Sequence, residues 1–500
     1  MRRAAAPLAI FVACLTAGLL PAESRAADMT GLVPLTDMGA GTYLGFSGGL
    51  YENGANEPPA DHATAGAAQT ALVQPLDAAG APSASGKVVL VSVGMSNTTQ
   101  EFCSQSSAPP CDAVTFMGQA APDARVDHDA LVIVNGAAGG QAALTWDSPA
   151  DANYDRVRDT RLTPAGVTEQ QVQAVWVKVA NPGPTASLPA PNADAYALET
   201  SMGNIVRALK VRYPNVRLVF LSTRTYGGYA TTTLNPEPYA YESGFAVKWL
   251  VQAQVDQMRN GGGVVDPRAG DLNYNAGAPW IAWGPYLWAD GLSPRSDGLT
   301  YRQSDFGPDG THPSMSGRLT VGTLLLTFFF CSPYTTPWST SGAPGADTDA
   351  AAGWPWIADG TGPEGAMAGA DACDPDDDNN GCTDIREPGL TPARSPLVPW
   401  DFADMWTPAL PAGGTPSGGR NGAVTLADVS AALVWVGAAD GSGMNINGRD
   451  YDSDVNANGV EDGAEYDRTP GATSGLSAAP DGAVSLQDVS VTLAQVGDAC

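Results

Sequence analysis

The chain holds three histidines, so the context of each carries weight. His312 stands in Gly307-Pro308-Asp309-Gly310-Thr311-His312-Pro313-Ser314, just ahead of an apolar stretch. An aspartate three residues before a histidine, in a loop entering a helix, can accept the imidazole Nδ1–H. The other ring nitrogen is then left as a general base. Such a base needs a nucleophile, and Ser96 in Gly94-Met95-Ser96-Asn97 supplies a hydroxyl. Asn135-Gly136-Ala137-Ala138-Gly139-Gly140 offers backbone N–H groups with little shielding, and Asn181-Pro182 offers an amide. Hydroxyl, imidazole, carboxylate and N–H donors together suit acyl transfer, in which negative charge builds on a former carbonyl oxygen. His62 and His128 lie in segments with no evident chemistry, and their scatter disfavours a zinc hydrolase.

Convergence of these residues requires a sheet. Lys87–Val93, Leu131–Val134, Ala174–Ala180 and Val216–Ser222 are short β-branched apolar runs, the pattern of strands buried on both faces of a parallel sheet. Leu198, Met202, Ile205, Val206 and Leu209 recur at helical spacing, and Pro214 closes that helix. Gly244–Met258 and Ser316–Phe330 read as further helices. Alternation of this kind predicts a doubly wound α/β domain over residues 85–331. Ser96, Gly140 and Asn181 then follow three strands at the sheet's carboxyl edge, where open α/β sheets assemble their sites. The Asp309/His312 pair comes last.

The order Ser, Gly, Asn, then Asp-x-x-His resembles the SGNH (GDSL-like) hydrolases. The resemblance implies a flavodoxin-like three-layer α/β fold with a parallel sheet and a serine esterase, which the N-terminal signal pattern makes a secreted one. Carried over, Ser96 is the nucleophile, and Gly140 and Asn181 complete an oxyanion hole with the Ser96 N–H. His312 is the base, and Asp309 orients it. Met95 stands where the family usually has Asp, and Val179-Ala180-Asn181-Pro182 replaces its Gly-x-Asn-Asp block. Aromatic segments near Tyr226, Tyr229 and Trp280–Trp288 can stack on sugar rings or pack in the core, the latter being the favoured reading for the tryptophans; the former makes O-acetyl groups on a carbohydrate an expected ester substrate. The alternative is a non-catalytic secreted glycan-binding or surface-assembly protein.

Composition excludes other classes. A net charge of −28, from 25 Lys+Arg against 53 Asp+Glu in 500 residues, repels phosphate backbones and argues against nucleic-acid binding. Arg2 and Arg3, the apolar run Ala4–Leu20 and the small residues ending at Ala26 form a secretory signal pattern over 1–26. The run is short for a transmembrane anchor. Export permits disulfides, and of the remaining six cysteines the near pairs Cys103/Cys111 and Cys373/Cys382 are the simplest among 15 pairings.

Residues 27–84 read as an N-terminal extension, 332–372 and 389–416 as linkers, and 373–388 as a calcium loop. Within the last, Asp376, Asp378, Asn380, Cys382, Asp384 and Glu387 occupy positions 1, 3, 5, 7, 9 and 12 of an EF-hand loop, with Gly381 at 6. Asp454, Asn456, Asn458, Val460, Asp462 and Glu465 repeat the template. Position 7 ligates through its backbone carbonyl, and calcium is the expected structural ion. Within 417–500, Gly422–Gly437 recurs as Gly482–Gly497 with 10 of 16 identities at an offset of 60. These repeats resemble dockerin-type helices, with Asp428 and Asp488 at the loop's twelfth position. That likeness implies a cohesin-like partner.

Overall fold

The computed structural model describes residues 28–104, 109–123, 125–341, 409, 411, 424–439, 441–453, 466, 483–494 and 496. In chain order the helices of the main body are α1 (Leu35–Met38), α2 (Ala60–Thr70), α3 (Ser96–Phe102), α4 (Phe116–Ala120), α5 (Ala152–Val157), α6 (Asp194–Arg212), α7 (Tyr239–Arg259), α8 (Met315–Cys331) and α9 (Thr336–Ser339). Strands β1 (Thr42–Tyr43) and β2 (Phe46–Ser47) form a small hairpin. Strands β3 (Val88–Gly94), β4 (Leu131–Asn135), β5 (Val172–Lys178), β6 (Leu218–Leu221) and β7 (Trp280–Trp283) form one sheet in the order β4-β3-β5-β6-β7. All four pairings are parallel. This is the flavodoxin-like order, whose switch point lies beside the first strand of the sheet.

Strand periodicity sorts the core into two halves. Val89, Val91, Val93, Val175, Val177, Val219, Leu221 and Ile281 enter one cluster, together with α6 and α7. Val88, Leu90, Ala174, Trp176, Leu218, Phe220 and Trp280 enter the other, together with apolar residues of α3, α4 and α8. Alternate side chains of each strand point to opposite faces, and each fully buried aliphatic side chain contributes about 1.5–3 kcal/mol. Both faces are therefore covered, which gives three layers.

Four of the five strands coincide with the apolar runs in the sequence. The third begins two residues earlier than expected, at Val172, because Val172 packs into the first cluster. The fifth, Trp280–Trp283, is too short and too aromatic to stand out as a strand, yet it pairs with β6 over its full length. Residues 28–84 are more than an appendage: Leu35, Leu50 and Tyr51 sit in the first cluster. Lys248 of α7, which burial pushes down to about 8, donates to the carbonyls of Ser47, Gly48 and Gly49. The expected linker starts too early at 332, since α9 buries Trp338 against the second cluster.

Cys103 and Cys111 are disulfide-bonded; Cys373 and Cys382 lie outside the described residues. Among the described residues no helix is long and apolar enough to cross a membrane. Both EF-hand-like loops, from Asp376 to Glu387 and from Asp454 to Glu465, also lie outside the described residues. The two repeats contain α10 (Leu426–Trp435) and α11 (Leu486–Ala494). At their starts the Asp428 carboxylate accepts from Thr425 N and Oγ1, and Asp488 accepts from Ser485 N and Oγ. These two aspartates cap their own helices, a function the twelfth-position alignment did not anticipate.

Candidate active site

Gly94 ends β3 where the chain must turn sharply. A Cβ there would lie 2.2 Å from the Lys178 carbonyl oxygen and 2.4 Å from Thr98 Oγ1, so only glycine fits. Thr98 Oγ1 donates to that same carbonyl at 2.7 Å. Ser92 Oγ donates to Asn135 Oδ1 at 2.8 Å, and Asn135 Nδ2 donates to Thr99 Oγ1 at 2.6 Å. These buried bonds tie β3, β4 and α3 together and fix Ser96, the first residue of α3.

The Asp309–His312 loop is fixed independently. Gly310 has φ +64°, and a Cβ there would meet the Tyr229 carbonyl oxygen at 1.7 Å. Asp309 Oδ1 accepts from the backbone N–H groups of Thr311 and His312 at 3.1 and 3.0 Å. Asn97 Nδ2 donates to the Thr311 carbonyl at 2.7 Å, which joins this loop to the start of α3.

Across that junction His312 Nε2 lies 2.8 Å from Ser96 Oγ, and His312 Nδ1 lies 2.5 Å from Asp309 Oδ2. The three groups thus form one hydrogen-bonded chain across a sequence separation of 216 residues. Burial pushes the Asp309 carboxyl up, but the hydrogen bonds from the His312 ring and from the His312 and Thr311 N–H groups outweigh it and hold it below the usual carboxylate range. A carboxylate held ionised on Nδ1 leaves Nε2 as the proton acceptor facing the hydroxyl.

Ser96, Gly140 and Asn181 line one cleft, with Met95, Asn97, Ala142, Ala180, Pro182, Arg224, Leu234, Asn235 and Thr311. They follow β3, β4 and β5, three adjacent strands. Gly140 has φ +76°, and a Cβ there would meet nothing within 4 Å, so the space beside its Cα is open. Asn181 Nδ2 is 3.4 Å from Asp194 Oδ1, and its Oδ1 is buried without a hydrogen-bond partner. All five residues singled out from the sequence therefore meet at one edge.

The remaining histidines are structural. His62 stacks on Trp280 with Nε2 2.9 Å from the Ile281 carbonyl, and burial pushes it down to about 4. His128 is exposed, with Nε2 2.9 Å from the Asp123 carbonyl. Sequence inspection missed Asn97, Asn235 and Arg224. Arg224 had a usable signal, since it stands two residues beyond the apolar run 216–222, at the same edge as the other site residues. Asn235 sits in a long loop and had none.

No protein family matches the chain, and no curated protein does. Among solved structures it is similar to the salicylyl-acyltransferase SsfX3 from a tetracycline biosynthetic pathway, with 14% identity and a TM-score of 0.26, covering 49% of this chain and 54% of that one. It is similar to a putative GDSL-like lipase from Parabacteroides merdae, with 11% identity and a TM-score of 0.25, covering 48% and 94%. It is also similar to a carbohydrate esterase family 2 enzyme with a carbohydrate-binding domain from Corynascus thermopiles, with 14% identity and a TM-score of 0.25, covering 49% and 66%. The match thus spans about half the length of the acyltransferase.

Proposed function

We propose that this chain is an exported serine esterase of SGNH type. The observation that carries the proposal is the Ser96–His312–Asp309 chain of hydrogen bonds, 2.8 and 2.5 Å long, at the rim of a cleft. His312 Nε2 takes the Ser96 proton as Oγ attacks the ester carbonyl carbon. The oxyanion that forms is met by the N–H groups of Ser96 and Gly140 and by Asn181 Nδ2, each such donor typically contributing about 2.7–4 kcal/mol. The imidazolium, stabilised by Asp309, gives its proton to the leaving alkoxide. Water then repeats the sequence on the acyl-enzyme and releases the acid, with Ser96 reprotonated.

The substrate proposed is a carboxylic ester, with O-acetyl groups on a carbohydrate as its finer form. The aromatics expected to stack on sugar rings do not support that form, since Tyr226, Tyr229, Trp280, Trp283, Tyr286 and Trp288 are buried in the core and none lines the cleft. Replacing Ser96 tests the proposal. The folded Ser96→Ala protein should lose p-nitrophenyl acetate turnover by at least about a thousandfold, and a phosphonate should label Ser96 in the wild type. Retained turnover dismisses the assignment, and carbohydrate binding without hydrolysis favours the non-catalytic alternative. Calcium in the tail belongs to the same proposal on loop spacing alone, and a calorimetric titration showing no calcium binding removes it.

A further inference from the structure

Arg224 follows β6 by three residues, one strand beyond Asn181 along the edge that builds the cleft. It lines that cleft, is 2% exposed, and its Nε and Nη1 have no hydrogen-bond partner. A guanidinium does not discharge itself by losing a proton, and a buried charge without a partner is costly. The carboxylates whose charge Arg224 feels are Glu101, Glu237 and Asp309, and each is engaged elsewhere. Glu101 holds Lys178, and Asp309 holds His312. Glu237 accepts from Trp288 Nε1, Gly227 N and Tyr241 N. They temper the charge and leave Nε and Nη1 without a hydrogen bond.

Unfilled acceptors stand in the same wall. Asn181 Oδ1 and Asn235 Oδ1 are both buried and without a donor, and both residues line the cleft. A bridging water would bring no charge to Arg224. A ligand that satisfies the whole wall must present an anion to the guanidinium and hydroxyl groups to the two amide oxygens. We propose that the ester is an acylated acidic sugar whose carboxylate pairs with Arg224 and whose hydroxyls donate to Asn181 and Asn235. The proposal rests on the esterase assignment and narrows it from carbohydrate esters to those of a uronate type.

The test uses the full-length chain and a matched pair of substrates, the methyl glycosides of mono-O-acetyl glucuronic acid and of mono-O-acetyl glucose. Wild type should favour the acidic sugar in kcat/KM by about tenfold or more, the effect of one charge-assisted hydrogen bond. In Arg224→Met that ratio should fall to about one, and Arg224→Lys should recover part of it. A wild-type ratio near one overturns the proposal. So does an Arg224→Met protein in which both rates fall together and the ratio survives, since that marks a merely structural arginine. If Arg224→Met does not fold, the wild-type ratio and Arg224→Lys decide. Calorimetry on Ser96→Ala separates the two layers. Glucuronate should bind more tightly than glucose whether or not p-nitrophenyl acetate is turned over, and equal binding sinks the acidic subsite alone.

Discussion

Two buried cations stand one strand apart at the carboxyl edge of the sheet, and the fold treats them differently. Lys178 ends β5 with a fully buried side chain, and its Nζ lies 2.6 and 2.5 Å from the two Glu101 oxygens, themselves fully buried. Burial pushes its pKa down and Glu101 opposes that. Arg224 beyond β6 is equally buried but has no such carboxylate against Nε or Nη1. Glu101 lies on α3, so the first pair braces the helix that begins with Ser96. The second cation faces the cleft instead. One charge is closed off as scaffold, and the other is left open toward a ligand.

If that contrast holds, changes on the cleft side should act on rate and changes beneath it on stability. The largest effect expected is at Asp309. Asp309→Asn removes the charge that orients His312 and should lower kcat on p-nitrophenyl acetate on the order of ten-thousand-fold. The melting temperature should move little, because the Asp309 side chain is 29% exposed. A rate within tenfold of wild type would remove the triad from the comparison.

Beneath the cleft the effect should be energetic. Lys178→Met leaves Glu101 buried without its partner and should cost about 3–5 kcal/mol in urea unfolding, while the double replacement Lys178→Met/Glu101→Leu should recover most of it. Arg224→Met removes an unpartnered charge, so its stability should be unchanged or raised. Equal losses at Lys178 and Arg224 would erase the distinction between them.

How far the sequence foretold this arrangement depends on what each residue leaves as a local mark. The β-branched runs of β3 to β6 and the Asp-x-x-His turn are local patterns, and four strands and the loop were legible. Ser96, Gly140 and Asn181 were legible because each lies within a few residues of the end of such a run. Trp280–Trp283 was not, since four residues rich in tryptophan carry no clear period and only pairing with β6 makes them a strand. Residues 28–84 looked peripheral because Gly, Ala and Pro dominate them. Their place in the core comes from scattered contacts such as Trp283 Nε1 donating to the Leu50 carbonyl at 2.7 Å. The Lys178–Glu101 pair, 77 residues apart, and the orphaned Arg224 are tertiary facts with no local signature.

A third buried charge sharpens the contrast with Arg224, because a carboxyl can solve the same problem alone. Glu199 on α6 is fully buried, and the neighbour its carboxyl hydrogen-bonds with is another acid, Asp266, not a cation. Burial, and then the neighbouring Asp266, push its pKa up to about 8 against the pull of Arg268. It therefore carries its proton at neutral pH in the native state, an escape closed to a guanidinium. Unfolded, it ionises near the ordinary 4.5. Between these values the native state binds more protons than the unfolded state, so stability falls as pH rises. Glu242, raised to about 7 by burial, acts in the same direction. His62, lowered to about 4, acts oppositely up to its ordinary 6.5. Lys178 and Lys248, both lowered to about 8 by burial, shed protons in the native state as pH nears 8 and oppose the decline there, so the clean window runs from about pH 6.5 to 7.5. Across it the wild-type melting temperature should decline, and Glu199→Gln, which has no proton to lose, should decline less and be the more stable of the two at the alkaline end. Parallel slopes would mean that Glu199 is ionised in the fold with a counter-charge after all, which would align it with Lys178 and leave Arg224 without its foil.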